Sequence, residues 1–306
     1  MSYPTAAGQP TYSGVFIPEI WSTKIIEKYY DTTVLSAISN TDYEGEIRNQ
    51  GDKVIIRTDA TLEINDYSIG QTLVNQRPVG SSLELLIDKR MYWSAIIDDI
   101  VEKQQDINQM NRWSMDAAEQ LKIQLDTRVL SAIVPDISAS NKGATAGVDS
   151  GNINLGVTGT PLAVDKTNII DTIIDVGQVL DEQNVPETGR FLVLPFWATA
   201  RLKKSDIKDA SLAGDGTSVL RNGRVGVIDR FTIYNSNLLP RYVDGAYNTT
   251  HFLAGTKAGL TFATQLTRTE SLRAESTFGN IMRGLMVYGH KVVKPEALAA
   301  VYARPA

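Results

Sequence analysis

The chain has 306 residues, 42% of them hydrophobic and 21% charged, with a net charge of −5 and a sequence pI near 5.2. That length implies one large domain or two intimate ones, and the composition is ample for a buried core. The acidic balance argues against a dedicated nucleic-acid grip, and the absence of cysteine excludes disulfides, thiolate metal sites and cysteine nucleophiles, which fits a reducing cytosol.

Residues 1–20 are rich in Pro, Gly, Ser, Thr and Tyr and read as an extended arm without the basic and apolar blocks of a signal peptide. No window approaches 18 uncharged apolar residues, so no membrane partner is expected. A short amphipathic helix is predicted from about Pro18 to Leu35, with Trp21, Ile25, Ile26 and Tyr29 on one side. Alternation then runs through Val54, Ile56 and Thr58 and again through Leu83, Leu85 and Ile87, flanking a polar stretch with Asn65, Asp66, Gly70, Asn75, Pro78 and Gly80. This predicts a long β-hairpin, Lys53 to Tyr67 against Val79 to Trp93, reaching about 50 Å. Such a ribbon is marginal alone and must lie on something.

A long helix is predicted from Ile97 to Val134, stopped by Pro135, with Ile100, Ile107, Met110, Trp113, Ala117, Leu121, Leu125, Val129 and Ala132 at mostly helical spacing. Its length would be roughly 57 Å. A 33.5 kDa chain with both elements needs neighbours to cover them. Residues 136–164 read as a loop. An α/β pattern follows: a helix over Val164–Gln183, a strand at Arg190–Leu194 and a helix at Phe196–Lys204. A Gly-rich turn at Gly214–Gly216 precedes short strands at Val225–Ile228 and Phe231–Tyr234. Strand-like segments near Gly259–Arg268, Gly284–Val293 and Ala297–Tyr302 close the chain.

Three stretches carry a family resemblance. Val185-Pro186-Glu187-Thr188-Gly189-Arg190-Phe191-Leu192-Val193-Leu194-Pro195 resembles the helix-turn-strand that opens the axial lobe of tailed-bacteriophage major capsid proteins. The run from Asn222-Gly223 through Gly226, Phe231 and Ser236-Asn237 to Pro240 is similar to a characteristic segment of that family, although Asp229-Arg230 stands where many relatives have a small residue or Gly. The ending, with Gly289 and Pro295, resembles their C-terminal passage. The resemblance implies the α+β Hong Kong-type phage capsid fold shared by tailed phages, herpesvirus capsid floors and encapsulins. In this chain that means an N-terminal arm (1–45), a long β-hairpin extended loop (46–93) and a peripheral domain with the spine helix (94–163, completed by about 265–285). An α/β axial domain (164–264, completed by about 286–306) finishes it.

The implied function is non-catalytic self-assembly as hexamers and pentamers into an icosahedral shell around double-stranded DNA, made in the bacterial host cytoplasm. The expected companions are a separate scaffolding protein, a portal and a decoration protein, with non-specific proximity to packaged DNA. The arm begins within the first 20 residues, so no long scaffolding segment is expected before it, and the mature N-terminus is expected near residue 1. Some relatives lock the shell through isopeptide bonds from a lysine on the extended loop. Here no lysine lies between Lys53 and Lys89, so no such bond is expected. The alternatives are an encapsulin-like compartment or a soluble α/β enzyme.

No cofactor, metal or catalytic residue is expected. His251 and His290 are 39 positions apart and match no metal pattern, and structural roles suit them better. Gly214-Asp215-Gly216-Thr217-Ser218 lacks the G-K-[ST] ending of a phosphate loop and reads as a loop tip. Asp98, Asp99, Glu102 and Asp106 would share a helical face able to hold a hard cation, but complementing the helix dipole explains them. Arg201, Lys203, Lys204 and Lys208 read as a solvated helix face. Asn248-Thr249-Thr250 matches a glycosylation acceptor by chance.

Overall fold

A computed structural model describes residues 30–42, 53–104, 109–205 and 226–306, apart from 59, 61, 74 and 276. The elements are α1 (Leu35–Ile38), β1 (Lys53–Arg57), β2 (Ser82–Leu86), β3 (Lys89–Asp98), α2 (Asp99–Gln104), α3 (Gln109–Asp136), β4 (Leu162–Val164), α4 (Ile169–Glu182) and β5 (Arg190–Leu194). They continue with α5 (Phe196–Lys204), β6 (Val227–Ile228), β7 (Phe231–Asn235), β8 (Arg241–Asp244), β9 (Tyr247–Thr256), β10 (Leu260–Arg273), β11 (Gly279–Val292) and β12 (Leu298–Pro305).

The largest sheet has seven strands in the order β4-β12-β9-β5-β7-β6, with β8 paired to β9. The β4–β12 and β5–β7 pairs are parallel and the rest antiparallel. Strand β5, Arg-Phe-Leu-Val-Leu, is buried on both faces, as its unbroken apolar run requires. Leu192 and Leu194 pack with Ile169, Ile173, Val176 and Leu180 of α4 and with Ala198 and Leu202 of α5. Phe191 and Val193 point the other way, into a second core with Leu125, Val129, Leu130 and Ile133 of α3. The sheet is therefore covered on both sides.

The second sheet is β10-β11-β3, antiparallel throughout, with a bulge between Thr264 and Leu266. Met91, Met286, Tyr288 and Val292 pack into the α3 core. Ahead of these sheets, Val34, Leu35 and Ile38 drop into the same core, and Asn40 bridges to Thr261.

Several expectations are corrected. The ribbon is short: β1 and β2 form only the five pairs from Lys53↔Leu86 to Arg57↔Ser82, about 16 Å of ladder. Its second arm does not run on to Trp93, because Lys89–Asp98 is a strand of the other sheet. The long helix does not begin at Ile97, which is in β3; its described body is Gln109–Asp136, about 42 Å long. Nor does Pro135 stop it, since the helix includes that residue. The free carbonyls of Val134 and Pro135 at its end accept from Lys142 Nζ at 3.1 and 2.8 Å. Residues 30–34 are not helical, and a single turn forms only at Leu35–Ile38. The rest of the predicted Pro18–Leu35 helix lies outside the described residues, as do the Gly214–Gly216 turn, Lys208, Asn222 and Gly223. Helix α4 starts at Ile169, because Asp165 and Asn168 first fold an Asx turn, Asp165 Oδ1 accepting from the Thr167 and Asn168 amides.

Candidate assembly surfaces

The loop between β1 and β2 is fixed at its foot and bare along its length. Ile56, Leu85, Ile87 and Ala263 make a small buried cluster, with Val54, Leu83, Val287 and Val293 packed against it. Gly289 permits this docking, since a Cβ there would collide with the Leu86 carbonyl oxygen and with Ile87. The foot also carries the Lys53 Nζ–Glu84 pair at 3.1 Å and the Lys89 Nζ–Asp88 pair at 3.2 Å. Among the described residues the ladder does not continue beyond Arg57. The arms are tied by the Thr58 amide to the Ser81 carbonyl at 2.9 Å. Further out, Gln76 clasps the Glu63 backbone, its Oε1 accepting from the Glu63 amide at 3.0 Å and its Nε2 donating to the carbonyl at 2.9 Å. Leu62, Ile64, Tyr67, Ile69, Leu73 and Val79 all face solvent, Ile64 at 93% and Ile69 at 101% exposure. Isolated exposed apolar groups are ordinary, but six on one projecting loop mark a contact surface.

The outer face of the β10-β11-β3 sheet is the second surface. Along β3 the side chains alternate, Met91 and Ile97 buried and Tyr92 and Ile96 exposed. Leu285, Leu272 and Phe278 are also exposed. Several charges on this sheet are paired within the subunit. Glu270 pairs with Arg283 at 2.8 Å and Arg268 at 2.6 Å, and the Arg283 hydrogen bond holds its carboxyl below the usual range. Asp99 pairs with Arg273. Asp98 closes β3 and Asp99 opens α2, so the acidic set does not share one helical face; Asp106 lies outside the described residues. Among the described residues no cluster of His, Asp and Glu is arranged to hold a metal.

Apart from Gly289, most of the described resemblance residues lie in or beside the large sheet. Arg190 is 1% exposed. Its guanidinium meets Asp181 at 2.7 Å and donates to the carbonyls of Pro186 and Val185 at 3.0 and 2.5 Å. Burial opposes ionisation of Asp181, but Arg190 and Arg230 prevail and its pKa is lowered. Gly189 has φ +74°, and Pro195 precedes α5, its carbonyl accepting from Ala198 and Thr199. The Gly226 carbonyl accepts from the Ile233 amide at 3.1 Å, and Phe231 is fully buried. Ser236 Oγ donates to the Thr32 carbonyl at 2.9 Å and accepts from the Leu238 amide at 3.2 Å. The carbonyls of Asn237, Pro240 and Pro295 accept from Arg241, His251 and Ser138 respectively.

The Asp229-Arg230 departure has a physical reason. Both residues have positive φ, 44° and 67°, in the two-residue loop joining β6 to β7, a conformation such hairpins need. Arg230 is held by Asp181 and Glu187, each at 2.9 Å, which offsets the cost of two non-Gly residues there.

Neither histidine joins a site. His251 packs against Tyr302 with the rings tilted and their centroids 4.8 Å apart, and burial, then Lys142, lowers its pKa to about 4. His290 is likewise lowered to about 4 by burial, then Lys89. Arg201 donates to the Ala306 carbonyl at 3.0 Å, and Lys204 is exposed. Thr249, in the chance glycosylation match, is buried with its hydroxyl on Tyr302 at 2.8 Å.

The arrangement is thus two exposed apolar surfaces, one on the loop between β1 and β2 and one on the three-stranded sheet. The family model for phage capsid protein matches residues 86–301. The chain belongs to the phage capsid protein family. A solved structure from Mycobacterium phage Che8 is similar at 26% identity, covering 93% of this chain and 96% of that one with a TM-score of 0.77. The capsid of cyanophage P-SCSP1u is 15% identical, covers 95% and 94%, and scores 0.70. The capsid of a native GTA particle is 12% identical, covers 96% and 98%, and scores 0.67. Among curated proteins nothing matches. This capsid protein is accordingly a structural shell subunit with the α+β fold of tailed-phage capsids, a component of the virion.

Proposed function

We propose that the subunit assembles as hexamers and pentamers into an icosahedral shell enclosing double-stranded DNA, and that it performs no catalysis. The extended loop lies on an adjacent subunit, which covers Leu62, Ile64, Tyr67, Ile69, Leu73 and Val79. That row of bare apolar side chains on a loop anchored at its foot carries the reading. Ring contacts are heterologous and close by rotation. The arm is 1–45, the loop 46–93, the peripheral domain 94–163 with about 265–285, and the axial domain the remainder. A separate scaffolding protein, a portal and a decoration protein complete the particle, and assembly takes place in the host cytoplasm. Deleting Asp59 to Gly80 tests the role of the loop. The expected product is a folded, soluble subunit that forms no closed shells by electron microscopy; normal shells would overturn it.

A further inference from the structure

Helix α4 carries an acidic strip with an apolar knob in it. Asp171, Ile174 and Asp175 stand at spacings of three and four and share one face of the helix. Ile174 is 49% exposed, and among the described residues no cation meets either carboxylate. Like charges at that spacing repel, and burial, then Asp171, raises the Asp175 pKa. The other end of the same helix opens on a cleft of about 460 Å³. Val185, Pro186, Ala258 and Ala297 give it apolar walls, and Lys257 and Lys294 line it as well. Both lysines are exposed, and neither ammonium has a partner among the described residues. Glu296 lines it too, so two lysines face one carboxylate. The walls are fixed by Asn141, which is buried, donates to the Glu296 and Leu298 carbonyls at 2.7 and 2.8 Å, and accepts from Gln183 Nε2 at 3.0 Å.

Asp171 and Asp175 precede Gln183, at the edge of the cleft, by about 18 and 12 Å of helix axis. The helix holds strip and cleft apart in one subunit, so they can meet only between copies. We propose that Ile174 of one copy enters the cleft flanked by Lys257 and Lys294 on the next copy, with Asp171 and Asp175 set against the two ammoniums. Such a contact is heterologous, the type that closes rings. Burial of Ile174 supplies the attraction, and the charges set register and partner choice, because exposed ion pairs add little affinity. The inference rests on the ring assembly proposed above and names one of its contacts.

The test is charge reversal in the full chain, read as particle yield by electron microscopy, with the melting of unassembled subunits as the folding control. D171K/D175K and K257E/K294E should each lower the yield roughly tenfold or more, and all four changes in one chain should restore it. The natural absence of cysteine allows a milder check. Subunits carrying I174C and subunits carrying A258C, co-expressed and oxidised in the particle, should give a disulfide-linked dimer that neither gives alone. Where a reversal lowers the melting temperature, the cysteine pair decides. Yield unchanged by either reversal, no rescue by the combined variant, or no dimer specific to the mixture would overturn this contact, while shells from the unmodified chain would leave the assembly reading standing. An unmodified chain that forms no particles would overturn both.

Discussion

Arg190 shows how a charge can sit inside the core beside the large sheet. Its guanidinium is fully enclosed, while Asp181, its partner, keeps 39% of its side-chain surface in solvent. Removing the arginine loses several carbonyl hydrogen bonds along with the ion pair, but water can still reach the stranded carboxylate. R190A should therefore cost roughly 2–3 kcal/mol, below the usual range for a fully buried pair, read as a lower denaturation midpoint with shell morphology kept. The two histidines make a pH prediction. Each is lowered from 6.5 to about 4 on folding, so the unfolded chain binds protons more readily. Their contribution is present above pH 6.5 and is lost as pH falls through about 4. The melting temperature should drop over that window, and H251Q with H290Q should flatten the slope. An unchanged slope would mean that neither histidine titrates on unfolding. Glu182, lowered to about 2, acts in the same sense at more acid pH. Burial opposes its charge, but Gln178 and the Ser150 and Asp149 amides overcome that.

Among the elements, the extended loop departs furthest from a regular ribbon. Its alternation at Val54–Thr58 and Leu83–Ile87 was legible in the sequence, because a period of two is what a half-buried strand needs. What it did not show is where the ladder ends. Residues 62–80 keep their arms together through side chains, chiefly the Gln76 clasp, which no periodicity announces. Strands β8 and β9 were missed altogether, although Asp244-Gly245 followed by Tyr247-Asn248-Thr249-Thr250 carries a hairpin turn and β-branched residues. The end of the predicted Pro18–Leu35 helix, residues 30–34, is not helical, because Asp126 captures the amides of Val34 and Leu35. The large-sheet strand Arg190–Leu194 and helix Phe196–Lys204 were read correctly, since an unbroken apolar run and a flanking proline leave little choice. At the loop foot, G289A should displace Leu86 and Ile87. The expected result is faster hydrogen exchange at residues 53–57 and 82–86, with β5 and β9 unaffected. Uniform exchange across the subunit would show that the foot is not an independent docking point.

At the scale of the whole subunit, the chemistry of the loop limits how a shell can be held. Its basic residues are Arg57 and Arg77, and a guanidinium is a poor nucleophile. Lys53 and Lys89 are at the foot, each beside a carboxylate. Purified particles boiled in detergent should run as a single band near 33.5 kDa. A ladder of multiples would instead implicate one of those two lysines.

The order in which the sheets close sets a timing for synthesis. Strand β12 is threaded between β4 and β9, and among the described residues β3 pairs with β11. Residues 89–98 must wait for 279–292, and the large sheet lacks an inner strand until 298–305 have been made. Such long sequence separations are slow to close. A nascent chain therefore cannot present the finished face of the β10-β11-β3 sheet until residues 279–292 have been made.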